Sequence, residues 1–146
     1  MARAESAFRD AHQPDVLRRA SEYLRRVTDG RYTRLDYDPE ARALSVICAD
    51  RAEPLAVRYP ISRGTRDQIF LCLRLGLLDH LDEDRERLPL VLDDALLRMD
   101  DIRRPEVYRL LADAARRRQV FLLTCHASIA REAEETLKVR RIDLSA

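Results

Sequence analysis

The sequence predicts an α/β fold, with a mostly parallel sheet flanked by helices, an N-terminal helix and a small antiparallel β hairpin. Three observations carry that expectation. Residues 14 to 28 place Val16, Leu17, Ala20, Leu24 and Val27 at helical spacing. Residues 31 to 59 change to a strand-like period, with turn residues between the runs. From residue 61 onward, helical segments alternate with short runs that are apolar on both faces, as in a parallel sheet covered by helices.

Each element has its own argument. Pro14 fits the first turn of the opening helix and Gly30 its stop, and the weak pattern of residues 1 to 13 does not fix an earlier start. RYTRLDYD and ALSVICAD read as a hairpin around Asp38-Pro39-Glu40, with PLAVRYP as a third short strand. The stretch from Ile69 to Leu81 is apolar on nearly every side, and Gly76 is its one interior blemish. It predicts a helix buried on most of its surface. The polar loop DEDRER leads into the apolar strand LPLVLDD. Val107, Leu110, Leu111 and Ala114 then form a helical stripe over residues 104 to 117, opened by Pro105 and Glu106 and closed by Arg116 to Arg118. VFLLTCH reads as a strand, SIAREAEETL as a helix and VRRIDLS as a last short strand.

Composition narrows the class. The 146 residues suffice for one domain with a real core, and sparse Gly and Pro mark no linker, so residues 1–146 are expected to form a single domain. No apolar run approaches membrane-spanning length, and MARAESAFRDAHQPD has no signal-peptide stretch. A cytoplasmic protein is expected. The net charge of +1 gives no global argument for nucleic acid or membrane binding. The basic runs RRASEYLRR and ARRRQ read as solvated helix surfaces, because aromatic residues for base stacking are few. Of the 27 basic residues only Lys138 is a lysine. Cys48, Cys72 and Cys125 lack C-x-x-C spacing and sit in apolar runs, which predicts reduced, buried packing residues rather than a disulfide or metal centre.

In open parallel sheets, ligands bind at the carboxyl ends of strands. LPLVL delivers Asp93 and Asp94 there, and VFLLTC delivers His126. Neighbouring positions on a strand face opposite ways, so the two acids are expected to differ in role if the strand is still extended there. One acid can help hold Mg²⁺ and the other can orient a nucleophilic water; equally, both can serve as turn or cap residues. His126 reads either as a reactive group or as a capping histidine. In ISRGT, Ser62 or Thr65 can cap the following helix, and the helix start can also hold an anion.

The order of these segments resembles a known family. ISRGTRDQIFLCLRLGLLDHL is similar to the signature motif and helix of SMC-like ABC ATPases, LPLVLDD to a Walker B strand, LLRMDDIRR to a D-loop, and LLTCH to the switch-histidine strand. Together they resemble the C-terminal end of YhaN-type proteins, SMC-like ATPases with a head and a long coiled coil. ASEYLRRVTDGRYTRL is similar to the stretch where that coiled coil re-enters the head. The resemblance covers roughly residues 14 to 144 and implies the C-terminal lobe of a P-loop NTPase-like head.

By that resemblance Asp93 is the Walker B acid for Mg²⁺ and Asp94 stands where most ABC proteins have the catalytic Glu. His126 would contact the γ-phosphate or the attacking water. Ser62, Arg63 and Gly64 would close over ATP on an opposing head, with Asp100 as the D-loop acid at the seam. Arg63 replaces the first Gly of the usual signature, and Arg98-Met99 departs from the usual D-loop.

No G-x-x-x-x-G-K-[ST] loop occurs in the 146 residues, because none of the three glycines precedes a lysine. The resemblance therefore implies a partner: a Walker A-bearing lobe or chain, with head–head dimerisation, ATP and Mg²⁺, and an association with DNA transactions such as repair. This half alone is expected to expose an edge or face that the partner covers. A non-catalytic module that pairs with a complete ATPase head is the alternative, as is an inactive truncated product.

Overall fold

The computed structural model describes residues 2–82 and 86–144, with the backbone alone for residues 2–14. Contacts gather into two compact units, Met1–Glu86 and Arg87–Ala146.

In the first unit, helices α1 (Ala2–Val27) and α2 (Arg63–Leu81) accompany an antiparallel sheet of β1 (Tyr32–Asp38), β2 (Ala43–Cys48) and β3 (Leu55–Ala56). Helix α1 starts well before the periodic stretch, so Pro14 lies inside it and not in its first turn. The proline forgoes one ladder bond, and the helix continues on both sides. At the other end Asp29 takes the left-handed conformation (φ 48), one residue ahead of Gly30 (φ 76). Gly30 N–H then donates to Arg25 O at 2.8 Å and Asp29 N–H to Arg26 O at 3.4 Å, satisfying carbonyls that the last turn leaves open.

The hairpin forms as the alternating pattern requires. Leu35 pairs with Val46 and both are buried, while a register shift at Tyr32/Arg34 marks a bulge. Asp38 Oδ1 accepts the N–H groups of Glu40 (2.8 Å) and Ala41 (3.0 Å), which fixes the turn. The third strand is two residues long, with Leu55 opposite Val46 and Ala56 opposite Ser45. Ser21 joins helix to sheet: its hydroxyl donates to Leu17 O (2.6 Å) and accepts Leu35 N–H (2.8 Å).

Gly76 is where α1 and α2 meet. A Cβ there would lie 2.8 Å from Val16 O and 2.9 Å from Ala20 N. The residue that weakens the helix by propensity is thus the one that permits backbone contact. Polar bonds flank this contact: His80 Nδ1 lies 3.1 Å from Asp15 Oδ2, and the Tyr23 hydroxyl donates to the Asp79 carboxylate. Burial of α2 is narrower than its sequence predicts. Ile69, Leu71, Cys72, Leu75 and Gly76 are buried, but Phe70 (46%), Leu77 (45%) and Leu81 (39%) stay exposed. Its apolar circumference exceeds what its neighbours here cover.

The second unit comprises β4 (Leu90–Asp93), α3 (Arg104–Ala115), β5 (Val120–Leu123) and α4 (Ala127–Leu137). The two strands pair in parallel, from Leu90↔Val120 to Asp93↔Leu123. Leu90 and Leu92 are buried, and α3 buries Val107, Tyr108, Leu110, Leu111 and Ala114, as its stripe requires.

Three expectations need correction. Among the described residues the parallel sheet has two strands and the antiparallel sheet three, so the chain is α/β without being mostly parallel. One face of the parallel pair is open: Val91 (58% exposed), Phe121 (43%) and Leu123 (40%) face solvent. Runs apolar on both faces thus do not imply helices on both faces within this chain. Residues 138–144 form no strand, since no strand among the described residues pairs along them, and Val139, Ile142 and Leu144 are exposed. Residue 145 of that expected strand and residues 83–85 of the expected polar loop lie outside the described residues.

Candidate functional site

The carboxyl ends of β4 and β5 bring several chemically active residues together. Asp93 closes β4 on its exposed face, in register with Leu123, and its carboxylate has no hydrogen-bond partner among the described residues. Asp94 then leaves the strand with φ 45. A left-handed non-glycine residue costs on the order of 1–3 kcal/mol and persists where its surroundings hold it. Here they do. Asp94 N–H donates to Leu123 O (3.0 Å), and Leu97 N–H donates to Asp94 O (3.2 Å).

The side chain of Asp94 is held from β5. Thr124 Oγ1 donates to Asp94 Oδ1 at 2.7 Å, and Cys125 Sγ lies 3.5 Å from Oδ2. The Thr124 bond, followed by Cys125 and the nearby His126 charge, holds the carboxyl below the usual carboxylate range against opposing desolvation. The adjacent acids therefore differ, although the strand is no longer extended at the second of them: Asp93 is open to solvent, and Asp94, past the end of β4, is fixed by Thr124.

His126 occupies the N-cap position of α4 without capping it through its side chain. Its backbone N–H donates to Thr124 Oγ1 at 3.1 Å, so one hydroxyl orders both His126 and Asp94. A carboxylate oxygen of Asp94, Cys125 Sγ and a ring nitrogen of His126 all lie within 4.8 Å of one another. Cys125 is exposed, which corrects the expectation of three buried cysteines; Cys48 and Cys72 do pack inside. Cys125 lies past the end of its apolar run. Burial pushes the Cys72 thiol up to about 12, whereas the Cys125 thiol is raised chiefly by its bond to Asp94.

Asp100 serves a local role: its Oδ1 accepts Arg103 N–H at 2.9 Å, capping the turn into α3. Arg104, unremarked in the sequence, ties this loop to α4 by donating to Glu132 (2.6 Å), Met99 O (2.8 Å) and Asp101 (2.9 Å).

Ser62, Arg63 and Gly64 belong to the other unit, at the start of α2. Ser62 is the N-cap, and its hydroxyl accepts Thr65 N–H at 3.1 Å. Arg63 and Gly64 are the first two residues of the helix, whose N–H groups have no acceptor within it. Such a terminus suits an anion electrostatically.

Sequence position alone singled out Asp93, Asp94 and His126, and the structure places them at adjacent strand ends. It missed Thr124 and Cys125 as site residues. The available signal was a hydroxyl and a thiol at the end of an apolar run, directly before His126.

No family model matches the chain. Over 117 residues it is 28% identical to the uncharacterized protein YhaN of Bacillus subtilis (strain 168), covering 80% of this chain and 12% of that protein. Its fold is similar to that of an SMC head bound to the C-terminal winged-helix domain of ScpA. The TM-score is 0.66 at 14% identity, over 89% of this chain and 40% of that one. It is also similar to an SMC ATPase studied for ATP-driven dimerization and DNA-stimulated activation, with a TM-score of 0.65 at 13% identity, over 84% and 73% of the two chains. The SMC head of Thermotoga maritima gives 0.57 at 19% identity, over 82% and 40%. The sequence likeness is thus to part of YhaN, and the fold likeness to SMC head domains.

Proposed function

We propose that the chain supplies the C-terminal part of an SMC-like ABC ATPase, working on Mg-ATP together with a Walker A-bearing lobe or partner chain. Asp93, Asp94 and His126 act at the γ-phosphate; Ser62, Arg63 and Gly64 present the signature to an opposing head, with Asp100 at the same seam. In this reading the chain is a half-site, not competent alone, in an assembly that serves DNA transactions. One observation carries it above the others: Asp94, Thr124 and His126 are linked by hydrogen bonds across the ends of two parallel strands, beside an open Asp93.

Each residue has a part that its chemistry suits. Asp93 offers unpaired carboxylate oxygens, the hard donors that Mg²⁺ takes. When bound, that ion neutralises charge on the β and γ oxygens. Asp94, fixed by Thr124 and held ionised, orients the attacking water and accepts its proton. The His126 ring, which caps nothing, is free to donate to a phosphate oxygen or that water. Ser62 keeps its helix start rigid, so that the first-turn N–H groups and the positive dipole end meet a phosphate in trans. The open apolar face of Val91, Phe121 and Leu123 gives the Walker A-bearing lobe a surface to pack against.

Titration calorimetry tests the division of labour. The chain alone is expected to give no heat of Mg-ATP binding, and a Walker A-bearing lobe of an SMC-like head is expected to create binding that Asp93→Ala weakens. Tight binding by the chain alone, lost in Asp93→Ala, would overturn the half-site reading.

A further inference from the structure

The cluster at the end of β5 holds a donor set that ATP hydrolysis does not need. Beside the carboxylate of Asp94 and the ring of His126 stands an exposed thiol, Cys125. Oxygen, nitrogen and sulfur donors converge there, from residues that are exposed or half-buried. We infer that Asp94, Cys125 and His126 form a binding site for a zinc-class divalent ion, distinct from the magnesium position assigned to Asp93.

The spacing fits such an ion. Zn–S bonds of about 2.3 Å and Zn–O bonds of about 2.1 Å at a tetrahedral angle put the two ligand atoms roughly 3.6 Å apart. Cys125 Sγ and Asp94 Oδ2 stand at 3.5 Å. A His126 ring nitrogen lies within 4.8 Å of Cys125 Sγ and of an Asp94 carboxylate oxygen, so the third donor stands beside the other two. Thr124 already fixes the other oxygen of Asp94 at 2.7 Å, the kind of outer hydrogen bond that orients a metal-binding carboxylate. Three protein ligands leave a fourth position to water. The soft thiolate and the imidazole select a zinc-like ion over magnesium, which takes oxygen donors.

Binding displaces the Cys125 thiol proton to solvent, so that S–H is exchanged for S–metal with no change of oxidation state. The site stands on these three side chains and does not rest on the ATPase reading. If that reading holds, the same ion would occupy Asp94 and His126 and so block hydrolysis.

Cobalt(II) titration of the intact chain, in a phosphine reductant, is the test. The expected result is a thiolate-to-cobalt charge-transfer band with tetrahedral visible bands, saturating at one ion per chain and persisting in excess magnesium. Cys125→Ser is expected to abolish the charge-transfer band, and Asp94→Asn and His126→Ala to weaken binding. Thr124→Val, which removes only the supporting bond, is expected to weaken it by about tenfold or more. Absence of the band in the wild-type chain would overturn the site, as would a band that survives Cys125→Ser. So would an affinity unchanged in both Asp94→Asn and His126→Ala, which would reduce the binding to a single thiol. None of these outcomes depends on ATP, so failure here and failure of the ATPase reading are distinguishable.

Discussion

Asp93 and Asp94 are identical in type and adjacent in sequence, yet one is open and the other held. The difference comes from a residue 30 positions away, Thr124, whose hydroxyl reaches Asp94 because β4 and β5 pair in parallel register. A depressed carboxyl pKa means that the folded state binds its proton less readily than the unfolded chain. The linked stabilisation is therefore fully present above the unfolded value, about 3.9, and is lost as pH falls through the folded one. Carboxyl-carbon NMR titration should place the Asp94 midpoint below the ordinary range, and Thr124→Val should raise it toward that range. An Asp94 midpoint indifferent to Thr124→Val would show that the hydroxyl is not the cause. At this scale the sequence made the acids and His126 legible through their place at the ends of apolar runs. Thr124 and Cys125 were not legible as partners of Asp94, because their nearness depends on a strand register that no local pattern encodes.

At the scale of elements, periodicity located the four helices among the described residues and the hairpin, but it misjudged how they are covered. Helix α2 is apolar nearly all round, and periodicity cannot say which neighbour meets each side. The structure buries one side and leaves Phe70, Leu77 and Leu81 exposed. Gly76, a blemish by propensity, proves to be the contact point with α1. Gly76→Ala should therefore destabilise the chain, although alanine is the better helix former. The added methyl meets backbone atoms that cannot turn away, so a loss of about 1–3 kcal/mol is expected, read as a lower urea midpoint. A rise in the midpoint would mean that propensity outweighs the close approach. The last expected strand failed for a related reason. Val139 and Ile142 have the composition of a strand, but a strand exists only where another offers its hydrogen bonds.

For the molecule as a whole, the two compact units divide the proposed machinery. Ser62, Arg63 and Gly64 fall in the first, and Asp93, Asp94, Asp100 and His126 in the second. No helix among the described residues is long and apolar enough to cross a membrane. The chain spans 12% of the length of the curated relative it matches. The half-site expectation rests on what the residues lack, since no glycine precedes a lysine, and on the order of the motifs. The open face of the parallel pair agrees with that expectation, for Val91 and Phe121 lie side by side in register and both are exposed. The most direct test is ATP turnover by this chain mixed with a separately supplied Walker A-bearing lobe of an SMC-like head. Magnesium-dependent turnover above that of either part is expected, and Asp94→Asn should lower it on the order of a hundredfold or more. Turnover no faster than that of the lobe alone, or turnover that Asp94→Asn leaves unchanged, would contradict the account.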